Sequence, residues 1–300
     1  MNKEKVIITG GAGFIGSYVS KKLLSEGYEV HVMDNLYSGK KENIHDGVIF
    51  HKADIRNLSE IEPVFAGAKY VFHLAAIPSV QYSIENPVET NEVNVGGTLN
   101  VLIASKNAGV KRVVYSASSS VYGDAEKLPI SENESAKPKS PYALQKYIGE
   151  QYCRLFSKVY DLETVCPRYF NVYGFGQPSV GAYASVIARF LDLKKQNKSL
   201  TIVGDGEQTR DFVNVEDVAR ANFLSAISDK VGKGESINIG TGKKYSVSEI
   251  AKIIGGPIEK LPPRIEPKDS LADITLAKKL LDWQPGISLE DGLKTLLQKH

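Results

Sequence analysis

Three hundred residues, 42% hydrophobic and 24% charged, are enough for one large domain or two smaller ones, with a core that needs no staples. The 37 basic and 35 acidic residues leave a net charge of +2, too even for a protein built around nucleic acid. Two cysteines, Cys153 and Cys166, form no disulfide framework, five histidines lack metal-ligand spacing, and no apolar run reaches the roughly 20 residues of a membrane span.

From the N-terminus, one short apolar stretch runs directly into glycines, unlike a signal peptide, so a cytoplasmic protein is expected. Short β-branched runs follow at Val6–Thr9, Glu29–Asp34, Val48–His51, Tyr70–Leu74, Arg112–Ser116 and Glu163–Cys166. Between them, Phe14–Glu26, Asn94–Ala108 and Pro141–Tyr160 carry apolar residues at helical spacing, as in Val19, Leu23 and Leu24 or Leu99, Leu102 and Ile103. Gly27 and Gly109 stand where helix C-caps belong. Strand alternating with helix predicts an α/β fold, a doubly wound parallel sheet. After about residue 170 the rhythm loosens. Helices are expected at Ala182–Lys195 and Val247–Ile254, and short strands at Leu200–Val203 and Ser236–Ile239. An irregular proline-rich run covers Gly255–Pro267, and Ser288–Lys299 is an amphipathic tail helix. The expected division is residues 1–170 for the sheet domain, with a return segment near 212–230, and 171–300 for a smaller mixed α/β domain interleaved with it.

The strand Val6–Thr9 leads into Gly10-Gly11-Ala12-Gly13-Phe14-Ile15-Gly16 and then a helix. Glycines at 10, 13 and 16 permit a tight turn, close approach of a pyrophosphate, and close helix–strand packing. Asp34, at the end of the next strand, can accept both ribose hydroxyls and repels a 2′-phosphate, which favours NAD over NADP. Tyr142 and Lys146 share one helix face, a turn apart. A nearby ammonium and a cationic nicotinamide would both favour the phenolate, making Tyr142 a base near neutrality. Upstream, Ala117-Ser118-Ser119-Ser120 follows a strand end, where hydroxyls can reach a substrate oxygen and the tyrosine.

With these motifs the chain resembles an extended short-chain dehydrogenase/reductase, in the NAD-dependent nucleotide-sugar epimerase/dehydratase family, over essentially its whole length. The resemblance implies a Rossmann domain and assigns the cofactor to Gly10, Gly13, Phe14, Ile15, Gly16, Asp34, Asn35, Asp54, Ile55, Leu74, Ala75, Ala76, Asn94, Ser116, Tyr142, Lys146 and Tyr169. It makes Ser118, Tyr142 and Lys146 catalytic, and places Ser118, Ser120, Asn171, Arg210, Arg264 and Ser270 around a UDP-sugar. Arg210 lies in Gly204-Asp205-Gly206-Glu207-Gln208-Thr209-Arg210-Asp211-Phe212, the segment whose arginine binds the diphosphate. Arg264 stands one residue closer to Ala272-Asp273 than the family pattern has it. The resemblance further implies a homodimer through a four-helix interface, with no metal and no membrane partner.

Within the family, dehydratases and decarboxylases carry an acid before Val-Tyr-Gly, whereas Ser119-Ser120 precede Val121-Tyr122-Gly123 here. Neutral hydroxyls cannot supply that acid chemistry. Oxidation and re-reduction at the sugar C4, through a 4-keto intermediate, is the expected reaction. Ser270 stands three before Asp273, where a bulky tyrosine in the resembling epimerases limits the pocket to glucose and galactose. Its small side chain predicts UDP-N-acetylglucosamine and UDP-N-acetylgalactosamine as substrates, with UDP-glucose and UDP-galactose also accepted. Gly181-Ala182-Tyr183-Ala184 points the same way. A glucose-only epimerase, a UDP-glucuronate 4-epimerase, a reductase that releases a reduced sugar, and a non-catalytic NAD-sensing regulator remain open at this level.

Overall fold

A computed structural model describes residues 3–179, 185–262 and 269–299. Seven parallel strands lie side by side in the order Ile49–His51, Glu29–Met33, Lys5–Thr9, Ala68–His73, Arg112–Tyr115, Glu163–Tyr169 and Lys233–Ile239, and the short Ala117–Ser118 pairs alongside Glu163–Tyr169 as an eighth. The first strand builds outward to Glu29–Met33 and Ile49–His51 on one side, then the chain crosses to Ala68–His73 on the other. That reversal opens a crevice at the carboxyl ends of Lys5–Thr9 and Ala68–His73.

Both faces of the sheet are buried, which is why its strands read as near-continuous apolar runs. Alternate side chains part to opposite layers: Val6 and Ile8 join Val19, Leu23 and Val218 on one face, while Ile7 packs with Val101, Leu102 and Phe65 on the other. The helices Phe14–Ser25 and Val215–Ile227 cover the first face, and Leu58–Phe65, Thr98–Asn107 and Pro141–Tyr160 the second.

The strand expected as Ser236–Ile239 begins at Lys233 and completes the edge of the main sheet. Glu163–Tyr169 runs three residues past its expected end, through Pro167, with the neighbouring strand supplying the ladder. The helices Leu58–Phe65, Val80–Glu85, Pro87–Asn91 and Thr275–Leu281 had no separate expectation, the first carrying Pro63 within it and the others being only five to seven residues long. The expected helix from Asn94 begins instead as a π-helical turn, Glu92–Gly97, before regular helix at Thr98.

The second unit rests on a separate apolar cluster that includes Phe190, Leu200, Ile202, Phe212, Ile250 and the tail-helix residues Leu289, Leu293 and Leu296. Its helix Val186–Lys195 is capped by Ser185, whose side chain accepts from Ala188 N, and Gly181, Ala182, Tyr183 and Ala184 lie outside the described residues. Its strands pair in twos: Asn171–Tyr173 with Phe212–Asn214, Leu200–Val203 with Ile258–Leu261, and Thr209–Arg210 with Tyr245–Ser246.

Candidate active site

A cavity of about 540 Å³ occupies the crevice at the strand ends. At one end lies the glycine loop. Gly10 has φ +71°, and a Cβ there would sit 2.7 Å from Ala75 N; one on Gly16 would sit 2.2 Å from Gly10 O. Only bare backbone lets the helix Phe14–Ser25 begin this close to the strand, so its free N–H groups face the cavity, an anion cradle.

Asp34 is buried beside this loop and accepts from Ala12 N (3.1 Å) and Leu36 N (2.8 Å). Burial pushes its pKa up, and the two N–H groups pull it back. Gly39 is packed so closely that a Cβ would lie 2.9 Å from both carboxylate oxygens. Asp54 is held well down, at about 2, chiefly by the Arg56 guanidinium, with Asn35 Nδ2 donating to it at 2.9 Å.

Ser118, Tyr142 and Lys146 meet at the other end. The helix Pro141–Tyr160 starts on a Ser140 cap and a proline at its first turn, which fixes the position of Tyr142. The helix lies close against the sheet because Gly149 has no side chain: a Cβ would meet the Tyr115 hydroxyl at 2.2 Å. Lys146 is thereby carried over the Tyr115 ring, 5.0 Å from its centroid, and its Nζ donates to Ser116 O at 2.8 Å. The Tyr142 hydroxyl comes near Ser118, whose Oγ accepts from Ser120 N at 3.2 Å to cap the turn Ser119–Tyr122.

The expected acidic shift of Tyr142 is not a property of the chain alone. Burial pushes its phenol up to about 12, against the nearby Ser118 hydroxyl, and burial lowers Lys146 to about 8. Both shifts have one cause: the dry wall of the cavity disfavours whichever form carries charge. Lys146, at about 8, still carries its charge near neutrality, and a cation brought in by a ligand would add to it in stabilising the phenolate.

The cavity gathers Gly10, Gly13, Phe14, Ile15, Gly16, Asp34, Asn35, Asp54, Ile55, Leu74, Ala75, Ala76, Ser116, Ser118, Tyr142, Lys146 and Tyr169 on its walls. Asn94 is not among the lining residues. It is buried one layer behind, where its amide accepts from Ile77 N and donates to Ile77 O and Gln145 Oε1. Ser120 does not line the cavity either, and its Oγ is buried without a hydrogen-bond partner.

Asn171, Arg210 and Ser270 stand farther out, drawn together around Asp211. Asn171 N and Nδ2 donate to Asp211 O, and Ser270 N donates to Thr209 O. The buried Asp211 carboxylate accepts from Thr241 N, Thr241 Oγ1, Gly242 N and Ala272 N. Arg264 lies outside the described residues. Sequence reasoning missed Asp211, Gly39, Gly149, and the lining pair Gln177 and Pro178; a lone acid, glycine or amide gives no local sign of what it will meet.

A model of the NAD dependent epimerase/dehydratase family matches residues 6–240. The chain is 38% identical over 308 residues to a UDP-glucose 4-epimerase of Mycolicibacterium smegmatis, covering 96% of each. It is 34% identical to a UDP-N-acetyl-alpha-D-glucosaminuronate decarboxylase of Bacillus cytotoxicus, over 99% of this chain and 97% of that one. A solved UDP-N-acetylglucosamine 4-epimerase from Methanobrevibacter ruminantium, in complex with UDP-N-acetylmuramic acid, superposes with a TM-score of 0.94 at 37% identity, over 99% of this chain and 98% of that one.

Proposed function

The chain belongs to the NAD-dependent epimerase/dehydratase family, and we propose that within it the protein is a 4-epimerase of UDP-sugars. The observation that carries this reading is the meeting of Ser118, Tyr142 and Lys146 on one cavity wall, in a segment where Ser119 and Ser120 leave no acid next to the reacting position. Without an acid there, elimination or decarboxylation lacks its proton donor or acceptor.

The glycine cradle at Gly10, Gly13 and Gly16 suits the pyrophosphate of NAD, and Asp34 its ribose hydroxyls. When bound, NAD supplies the acceptor and then the donor of the C4 hydride. Tyr142 takes the proton from the C4 hydroxyl and returns it on re-reduction. Ser118 orients the same oxygen, and Lys146, anchored on Ser116 O, contributes positive charge. Turnover of the 4-keto sugar between the two half-reactions inverts C4.

Ser270, in place of an aromatic ring, supports acceptance of UDP-N-acetylglucosamine and UDP-N-acetylgalactosamine as well as UDP-glucose and UDP-galactose. A bulky ring in such a pocket costs roughly 1–3 kcal/mol of overpacking against an acetamido group. An assay of the four UDP-sugars tests this, with Ser270→Tyr expected to suppress the two acetamido sugars and spare the other two. Turnover of UDP-glucose and UDP-galactose alone would overturn the acetamido assignment, and carbon dioxide release from a UDP-uronate would overturn the epimerase one. We also propose a homodimer built on the outer face of Pro141–Tyr160, where Leu144, Leu155 and Val159 are exposed. Sedimentation as a monomer would refute it.

A further inference from the structure

We infer that His73 is a positioning residue: a neutral imidazole of fixed tautomer that ties the glycine loop to the helix carrying Tyr142 and Lys146. Its ring is fully enclosed at the end of the Ala68–His73 strand, with Nδ1 2.7 Å from Thr9 Oγ1 and Nε2 2.9 Å from Thr98 Oγ1.

The neighbours fix the direction of both bonds. The Thr98 hydroxyl has one proton, and it goes to Asn94 O at 2.7 Å. Thr98 Oγ1 therefore accepts from His73, which places the ring proton on Nε2. A neutral ring then leaves Nδ1 bare, so it accepts from the Thr9 hydroxyl. Thr9 Oγ1 in turn accepts from Ala75 N at 3.3 Å. Beyond Asn94 the chain continues through its own side chain, from Nδ2 to Gln145 Oε1 at 2.8 Å, and from Gln145 Nε2 to Thr90 Oγ1 at 3.0 Å. The π-helical turn Glu92–Gly97 sets Asn94 in place for this.

The ends of this path are the two halves of the site. Thr9 precedes Gly10, which packs on the Ala75 backbone, and Gln145 lies between Tyr142 and Lys146 on the inner face of their helix. Around the ring stand Thr9, Thr98, the Tyr115 ring at 5.7 Å, and the positive charge of Lys146. Burial, helped by Lys146, holds His73 at about 3, so the ring stays neutral across the range in which an ordinary imidazole titrates. An imidazolium would have two donors and would turn the Thr9 hydroxyl away from Nδ1. The positioning of Tyr142 and Lys146 rests on the function proposed above; the ring's tautomer and its effect on NAD do not.

Histidine-selective ¹⁵N NMR of the NAD-loaded protein tests the tautomer directly. The expected spectrum shows His73 as the Nε2–H form, unchanged from about pH 5 to about pH 8, where an ordinary imidazole titrates. An Nδ1–H ring, or titration within that range, overturns the inference. His73→Leu should lower NAD retained per folded chain and cut kcat about tenfold to a hundredfold, the scale of a 1 Å misplacement, with KM for the UDP-sugar within about twofold. His73→Gln, whose Nε2 can donate where the ring Nε2 does, should restore part of both. Should His73→Leu fail to fold, Thr98→Val against Thr98→Ser makes the same comparison at the next link, with loss expected in Val and recovery in Ser. Unchanged NAD retention and kcat in the variants that break the link refute the positioning role. If NAD retention falls in them while no UDP-sugar is turned over by the wild type, the link stands and the proposed function fails.

Discussion

The two ends of this site are built in different ways. The cofactor end is made from the carboxyl ends of adjacent strands in one parallel sheet, cross-linked by the buried path from Thr9 through His73 and Asn94 to Gln145. The end proposed for the sugar nucleotide is made from two- and three-residue strands and loop segments around the buried Asp211 carboxylate. One end inherits its precision from a continuous hydrogen-bonded ladder. The other is held by two-stranded pairings and by one buried side chain that satisfies several backbone N–H groups at once.

The largest expected effect comes from removing the chemistry while leaving both ends intact. Tyr142→Phe should lower kcat by about 10²–10⁴-fold, the usual worth of a positioned general base, with NAD retention unchanged by absorbance of the purified protein. A variant that keeps more than about a tenth of wild-type turnover would remove Tyr142 from that role.

Next is damage confined to the cofactor end. Gly16→Ala puts a methyl group 2.2 Å from Gly10 O, so the helix must back away from the loop. Overpacking of roughly 1–3 kcal/mol translates into NAD binding about 5- to 150-fold weaker, measurable by calorimetry, while UDP affinity stays within about twofold. Equal losses for both ligands would mean that the two ends are not separable.

The reciprocal experiment is smaller. Asp211→Asn replaces an acceptor oxygen by a donor amide among the N–H groups of Thr241, Gly242 and Ala272. KM for the UDP-sugar should rise about tenfold, equivalent to about 1.4 kcal/mol, with kcat and NAD binding nearly unchanged. A fall in kcat at constant KM would place Asp211 with the chemistry instead.

The smallest effect concerns pH. His73 is near 3 when folded and near 6.5 when unfolded, so between these values the unfolded chain binds more protons and stability falls as pH falls. From neutrality to pH 5 this amounts to about 2 kcal/mol, which denaturant titrations of the wild type should show and those of His73→Gln should lack. Parallel curves for the two proteins would show that His73 is not buried as a neutral base.

Much of the cofactor end is legible in the amino-acid sequence. The glycine spacing after Val6–Thr9, Asp34 after the next strand, and Tyr142 with Lys146 each lie within one strand–turn–helix unit or one helical turn, where chain geometry alone brings residues together. The end proposed for the substrate is legible only as motif segments. Asn171 and Arg210 are nearly forty residues apart, and neither motif shows that Asp211 O takes both donors of Asn171. Nor does the pattern Asn94 shares with its family show that it stands behind the cavity wall, bracing Ile77 and Gln145.

The sequence by itself determined the α/β alternation, the anion cradle at the first helix, the cofactor class, and the tyrosine–lysine spacing, because each follows from the period of a strand or helix and the stereochemistry of glycine. Tertiary structure alone decided the electrostatics. Burial, which no local pattern encodes, holds Tyr142 up at about 12, Lys146 down at about 8, and His73 neutral. It also decided which distant segments share one carboxylate, because Thr241 and Ala272 stand 30 and 61 residues from Asp211 along the chain and meet it only through the tertiary fold.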